Sequence, residues 1–203
     1  MSQREKCNAT IIGTLKKITQ SFRIKERNMY RALIHTVRRS NLEDHIWVII
    51  PADVIFHKYD INSLIGKKIE VRGEVRSRKE ECEDRQIHSI LYVFAEFIRI
   101  CRRSETDENS VYLRGHICKD VVYRYTPFGK KIADLLVCVK RNDNQSFAIP
   151  CIAWGRKADY ARNLARDDDI TLWGRLQSRN YFKDINNKTY IVKNFEVSIH
   201  EII

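Results

Sequence analysis

Residues Ile69–Arg78 read IEVRGEVRSR, and residues Ile170–Arg179 read ITLWGRLQSR. Aligned, the two share the leading Ile, the Gly and the closing Ser-Arg, and they exchange Val71 for Leu172 and Val75 for Leu176. The apolar residues and the glycine fall at alternate positions, the period of a strand with one buried face. Ile69, Val71, Gly73 and Val75 thus line the inner face of one strand, and Ile170, Leu172, Gly174 and Leu176 that of the other, with the glycine easing a bend at a barrel corner. A self-match at this spacing marks two copies of a whole domain rather than a short solenoid repeat. The outward positions set the copies apart. The first presents Glu70, Arg72, Glu74, Arg76, Arg78 and Glu80, a mixed-charge set suited to a solvated face. The second presents Thr171, Trp173, Arg175, Gln177, Arg179 and Tyr181, a ladder of aromatic, basic and polar groups.

The flanking sequence repeats as well. Ile11, Gly13 and Leu15 answer Leu113, Gly115 and Ile117, and VRR at Val37–Arg39 answers VKR at Val139–Arg141. Runs rich in β-branched and aromatic residues predict strands at 9–15, 30–37, 46–50, 69–77 and 90–98, with a helix between 53 and 64. The second copy predicts strands at 111–117, 132–139, 147–154, 170–181 and 190–199. Its helix is expected at 156–166, where Ala158, Ala161, Leu164 and Ala165 form an apolar stripe. Five strands with one helix between the third and fourth is the order of the OB-fold, a small Greek-key barrel. The fold class is therefore all-β, two tandem OB-fold barrels, with domains at 1–103 and 104–203 joined through the polar segment CRRSETDEN.

The chain has 203 residues, enough for two modest cores, and a formal net charge of +11. Residues 1–103 hold 21 basic and 13 acidic residues, and residues 104–203 hold 16 and 13, so the excess lies mainly in the first copy. Such a surplus points to a polyanionic partner without identifying it. The six cysteines are scattered, with no C-x-x-C and no histidine at metal spacing, and are expected as reduced, buried thiols. No metal or cofactor is expected. The N-terminus lacks the apolar core of a signal peptide, and no apolar run approaches the roughly 20 residues that span a membrane. There is no P-loop, no G-x-S-x-G and no H-E-x-x-H, so catalysis is not expected. Asp167–Asp169 reads as a charged turn, since adjacent positions point to opposite faces.

Single-stranded nucleic acid needs cations along the phosphate path and flat apolar faces for unpaired bases, each stack contributing roughly 1–3 kcal/mol. Trp173, Arg175, Arg179 and Tyr181 meet that need, with Lys183 in the hairpin beyond. Arg124, Tyr125, Phe128 and Lys131 gather around a second turn, YRYTPFGKK, which reads equally well as an ordinary β-turn. Trp154 ends a strand just before Gly155, placing its ring at a rim, and Pro150 marks that strand as an edge or a bulge. A protein interface explains Trp173 as well as a base stack does, because Trp, Tyr and Arg also dominate interfaces. In the first copy, Trp47 and Tyr30 lie inside predicted strands and are assigned to the core.

With these motifs in place, residues 109–203 resemble the bacterial single-stranded DNA-binding (SSB) family. NSVYLRGHI, YTPFGKKIADLLVCVKR, IPCIAWGRKADYA, ITLWGRLQSRNY and FEVSI follow one another in the family's order and spacing. The resemblance implies a binder of single-stranded DNA in replication, recombination or repair, cytoplasmic and nucleoid-associated. It assigns base stacking to Trp154 and Tyr181, and basic contacts to Arg124, Lys131, Arg141 and Arg179. It also implies four OB-folds per assembly, hence a homodimer of this chain. The first copy departs from the pattern: Pro51–Asp53 lacks the aromatic that Trp154 supplies, and Lys79-Glu80 replaces Asn180-Tyr181. The sequence reads SIHEII directly after the last expected strand, so the acidic tail by which family members recruit partners is not expected. The alternative reading is a protein-interaction module of a replication or plasmid-transfer complex.

Overall fold

The computed structural model describes residues 5–24, 26–55, 60–81, 87–141, 145–185 and 188–203; for residues 20, 21, 81 and 179–193 it describes the backbone alone. Contacts gather the chain into two compact units. One comprises Asn8–Arg76 with Tyr92–Ser110, and the other Val111–Ile203 with Met1–Cys7 and Ser77–Leu91. Each carries one OB-fold barrel.

The first barrel is built from β1 (Lys6–Ile24), β2 (Arg27–Val37), β3 (Glu43–Pro51), β4 (Lys68–Glu81) and β5 (Ile87–Ile100), with α1 (Ala52–Ile55) and a 3-10 turn (Ile61–Leu64) after β3. The strand order is β2-β3-β5-β4-β1, and β1 pairs back onto β2, closing the barrel. β1 pairs with β4 over Asn8–Thr14 and with β2 over Thr14–Ile24, so one strand serves both sides of the closure. The second barrel repeats the plan with β6 (Glu108–Ile117), β7 (Val122–Tyr125), β8 (Lys131–Lys140), β9 (Ser146–Trp154), α2 (Arg156–Ala161), β10 (Asp169–Ile185) and β11 (Lys188–Ile202). Its order is β6-β10-β11-β9-β8-β7, closed by β6 on β8. In both barrels the third strand meets the last in parallel, β3 on β5 and β9 on β11.

The alternation of the duplicated strands is realised. Ile69, Val71, Val75, Ile170, Leu172 and Leu176 are all buried. The glycines between them are fixed by close backbone approach. A Cβ at Gly13 would stand 2.2 Å from the His35 carbonyl oxygen, and one at Gly115 would stand 2.2 Å from that of Cys138. At Gly73 and Gly174 the intruded carbonyls are Phe94 at 2.0 Å and Ser198 at 2.6 Å. These are the four glycines that the duplication pairs, and only hydrogen fits in that space.

Several expectations are corrected. The strands run longer than predicted, and β7 is an additional short strand. In the first copy its counterpart is merged into β1, which bends through irregularities at Leu15/Lys17 and Ile18/Gln20. The second helix is shorter than expected, and residues 56–59 of the first lie outside the described residues. α2 ends at Ala161, where the hydrogen bonding tightens: the Asn163 N–H donates to the Tyr160 carbonyl at 3.1 Å and the Leu164 N–H to that of Ala161 at 3.0 Å, while the Asn163 side chain donates to the Asp159 carbonyl at 3.3 Å. The thiol expectation holds for the buried, free Cys7, Cys101 and Cys151, whereas Cys118 and Cys138 are joined as a disulfide with Cα atoms 5.8 Å apart. Barrel closure brings them together: it pairs His116 with Cys138, and the Cys118 N–H donates to Leu136. Cys82 lies outside the described residues. No described helix is long and apolar enough to cross a membrane.

Gly115→Ala is expected to lower stability by about 2 kcal/mol or more, at the upper end of overpacking costs, because a backbone carbonyl must move. Gly129→Ala, with open space around the new Cβ but a φ of 72°, should cost about 1 kcal/mol. Urea denaturation of the two variants measures the difference, and equal midpoints would refute closure at Gly115 as the constraint.

Candidate nucleic-acid interface

Local chemistry builds the β7–β8 hairpin. The Thr126 N–H donates to the Lys130 carbonyl at 2.8 Å, and the Gly129 N–H donates to the Thr126 carbonyl at 2.9 Å. The Lys130 N–H donates to Thr126 Oγ1 at 3.0 Å, and Gly129 adopts the positive φ that closes the turn. This fixed turn holds the Phe128 side chain out, 91% exposed, and Tyr125 stands beside it at 60%. Cross-strand register places Tyr125 opposite Lys131, Arg124 opposite Ile132, and Ile132 opposite Trp154. Tyr125, Lys131 and Trp154 therefore gather at one end of the barrel. Trp154 is half-buried, and the Gly155 N–H donates to the Lys131 carbonyl at 3.0 Å.

An acidic residue from α2 organises this corner. Asp159 accepts from the Tyr123 hydroxyl at 2.9 Å and from Lys131 Nζ at 2.8 Å. Lys131 chiefly, then Tyr123, holds the Asp159 carboxyl below its ordinary value, and Asp159 in turn raises Lys131. The Tyr123 hydroxyl is pushed up, first by desolvation and then by its bonds to Tyr125 and Asp159. The Tyr123 ring packs edge-on against Tyr125, centroids 5.7 Å apart, with the Arg162 guanidinium 5.6 Å from the Tyr123 centroid. Arg124 is paired with Asp134 at 2.8 Å. The cations at this corner are thus positioned by carboxylates.

A second patch lies on β6, β10 and β11. Trp173, 42% exposed, faces Tyr112 across the sheet, with rings 5.0 Å apart and nearly edge-on. Lys6 Nζ lies 4.9 Å from the Tyr112 centroid. Arg175 is engaged within the barrel: Nη1 lies 2.7 Å from His200 Nε2, and Nη2 donates to Gln177 Oε1 at 3.3 Å. Gln177 donates in turn to the buried Glu196 at 2.8 Å. From Trp173 to Gln177 the ladder is therefore a connected polar row beside an exposed indole, with Arg175 engaged by its neighbours. Arg179, Tyr181 and Lys183 continue β10 opposite Asn194, Val192 and Tyr190; their side chains lie outside those described. Arg141 sits just past the far end of β8, roughly 30 Å of strand from Lys131, with its guanidinium 5.6 Å from the Phe147 ring.

Sequence reasoning missed three features. Tyr160, exposed on α2, forms a shallow hollow with Arg156, Lys157, His200 and Ile202; its position off the apolar helix stripe was the available signal. In the first copy Trp47 and Tyr30 are only half-buried, the Arg31 guanidinium lying 4.3 Å from the Trp47 centroid, which corrects the assignment of both to the core. The charged face of β4 is likewise not simply solvated. Arg72 lies 4.3 Å from the Phe97 ring and Arg76 3.7 Å from Phe94, while Glu70 is buried between ion pairs to Arg72 and Arg99.

Exposed rings beside cations on paired OB-fold barrels define an oligonucleotide-binding class of architecture. Residues 108–200 match the single-strand binding protein family. Single-stranded DNA-binding protein 1 of Streptococcus pyogenes serotype M18 (strain MGAS8232) is 35% identical over 92 residues, 42% of this chain and 71% of that protein. The single-stranded DNA-binding protein of Enterococcus faecalis (strain ATCC 700802 / V583) is 32% identical over 92 residues, 42% of this chain and 49%, about half, of its own length. The chain belongs to the single-strand binding protein family. Its fold matches the crystal structure of wild-type single-stranded DNA binding protein from Thermus aquaticus with a TM-score of 0.75 at 20% identity, covering 99% of this chain and 93% of that one. The family match lies in the second barrel, whereas the structural likeness extends over both.

Because its folded pKa is depressed, Asp159 contributes stability that is complete above the unfolded carboxylate value of about 3.9. That contribution is lost as pH falls through the lower folded value. Asp159→Asn should therefore be less stable than the native chain at pH 7, with the gap in urea midpoint closing below about pH 4. A gap unchanged down to pH 2 would show that the charge is not what Asp159 contributes.

Proposed function

We propose that the chain binds single-stranded DNA without sequence preference and serves replication, recombination or repair as a non-catalytic protein of the cytoplasm, associated with the nucleoid. The observation that carries this reading is the hydrogen-bonded β7–β8 turn, which holds Phe128 and Tyr125 in solvent beside Lys131 on a family barrel. Bases stack on Tyr125, Phe128 and Trp154 and continue over Trp173 and Tyr181. Phosphates are met by Arg124, Lys131, Arg141, Arg175, Arg179 and Lys183. The first domain, residues 1–103, contributes scaffold, phosphate contacts or subunit contacts, and the second, 104–203, carries the stacking residues. Two chains form a homodimer with four OB-folds.

A second reading is favoured by one observation: Trp173 is braced by Tyr112 while Arg175 is engaged by His200 and Gln177, an arrangement suited to a protein contact. In that reading the β6–β10 face joins subunits or a partner while the β7–β8 turn holds DNA.

Titration with oligo-dT should quench Trp fluorescence at low salt, and affinity should fall steeply as salt rises, with a slope of about −0.7 per phosphate neutralised. Tyr125→Ala with Phe128→Ala should weaken binding at least about tenfold, given 1–3 kcal/mol per stack. Unchanged affinity in that variant would remove the turn from the interface. Trp173→Ala separates the two readings: lost DNA affinity at constant mass supports a continuous track, and halved mass with DNA affinity retained supports a subunit interface.

A further inference from the structure

The β2–β3 hairpin assembles a group of ligands on which the DNA reading makes no demand. Register places His35 opposite His45 and Val37 opposite Glu43. Ile34 and Ile46 are buried, so the alternate positions His35 and His45 stand on the outer face. Glu43 lies two residues before His45 and so shares its face. Its Oε2 falls 3.5 Å from His35 Nδ1 and 3.6 Å from His45 Nε2, and the three donor atoms lie within 4.8 Å of one another. The two rings stack with centroids 3.9 Å apart and a 33° tilt.

These separations are longer than good hydrogen bonds. The two carboxylate–imidazole separations are near those of a shared ion, since metal–donor bonds of about 2.0–2.1 Å in a tetrahedron place the donors about 3.3 Å apart; binding would draw the two imidazole nitrogens, now within 4.8 Å, toward that spacing. His45 Nε2 is enclosed from solvent and makes no hydrogen bond to the protein, an arrangement that costs free energy unless something else meets the lone pair. The hairpin end is held independently of any ion. Arg38 forks onto the buried Asp44, its Nε donating to Oδ2 at 2.7 Å. The Arg38 N–H donates to the Leu42 carbonyl at 2.8 Å, and the Val37 N–H to Asp107 at 2.8 Å. The ligand positions are therefore set by a braced turn.

We propose that His35, Glu43 and His45 bind one divalent transition-metal ion of the zinc class, with water at the fourth position. Two imidazoles and one carboxylate suit zinc and its neighbours, whereas calcium and magnesium call for oxygen-only shells. Three protein ligands leave one coordination position open. The sequence shows no metal motif here because the ligands meet across a hairpin whose register only the fold sets.

The test uses the untagged full chain. Equilibrium dialysis against zinc followed by elemental analysis should give one ion per chain, and calorimetry should show at least a tenfold loss of affinity in H45A and in E43Q, with circular dichroism confirming the fold. Cobalt(II) added to the native chain should give tetrahedral d–d absorption that zinc abolishes, a readout that needs no variant. Absence of those bands, or zinc uptake that is equal in the native chain and an H35A/H45A double variant, overturns the proposal. Because the readouts are metal content and spectrum, failure here leaves the DNA reading untouched.

Discussion

The structure depends on four places where one strand's backbone lies directly against another's carbonyl. Gly13 and Gly115 sit where the first strand of each barrel passes from one partner strand to the next, and Gly73 and Gly174 sit on the strand it leaves. A closed five-stranded barrel has little room at such crossings, and any Cβ there would force the strands apart. With closure fixed at these points, register is fixed along every strand, because a slip of one residue would turn the whole apolar set outward. The placements that matter for chemistry inherit that register. Trp173 meets Tyr112, Tyr125 meets Lys131, Cys118 meets Cys138 and His35 meets His45, none of them neighbours in sequence.

The same barrel then carries two different surfaces. In the first copy three aromatics each carry an arginine over the ring: Arg31 on Trp47, Arg72 on Phe97 and Arg76 on Phe94. Carboxylates hold the arginines of β4 from the side, Arg72 through Glu70 and Arg76 through Glu74. Such a cation–π contact contributes about 0.5–2 kcal/mol. A base replacing the guanidinium would gain roughly 1–3 kcal/mol from stacking. The exchange is close to neutral, so these rings are poor platforms despite the copy's larger positive charge. In the second copy Phe128 and Tyr125 are held in solvent by turn geometry, and stacking there displaces only water.

Much of this was legible in the sequence, for identifiable reasons. Alternation in IEVRGEVRSR and ITLWGRLQSR exposed the inner face because apolar burial imposes a period of two, and the repeated glycines disclosed the duplication because close approach admits no substitute. Phe128 and Tyr125 were readable because their exposure follows from a local turn. What escaped was set by cross-strand partners. Glu70 reads as a solvated charge until Arg99, from another strand, covers it. Arg175 reads as a free cation until His200 arrives from β11. Trp47 reads as core because its strand is apolar, yet it falls on the outer face beneath Arg31. α2 stops before Leu164 and Ala165 because the chain there turns to tighter bonds, Asn163 N–H to Tyr160 and Leu164 N–H to Ala161, and the Ala165 N–H is taken by the Asp168 carboxylate.

The carboxylates that hold the cations in the second copy also bear on how a polyanion would be gripped. Arg124 and Lys131 are each paired with an aspartate at 2.8 Å, on side chains partly open to solvent. Exposed pairs of this kind contribute about 0–1 kcal/mol, so a phosphate can take the carboxylate's place at small cost. The aspartate then faces the phosphate, and the net charge met by the strand is smaller than a count of basic residues implies. Fewer condensed counterions are released per basic residue, which lowers the salt dependence relative to a track of unpaired lysines. What the pairing supplies instead is position. On the proposed reading Asp159 holds Lys131 beside Tyr125 before the strand arrives, so less side-chain ordering remains when a phosphate replaces the carboxylate than a free lysine would require. On the proposed reading, this corner trades electrostatic reach for preorganisation, and the stacking rings carry the larger share of the affinity.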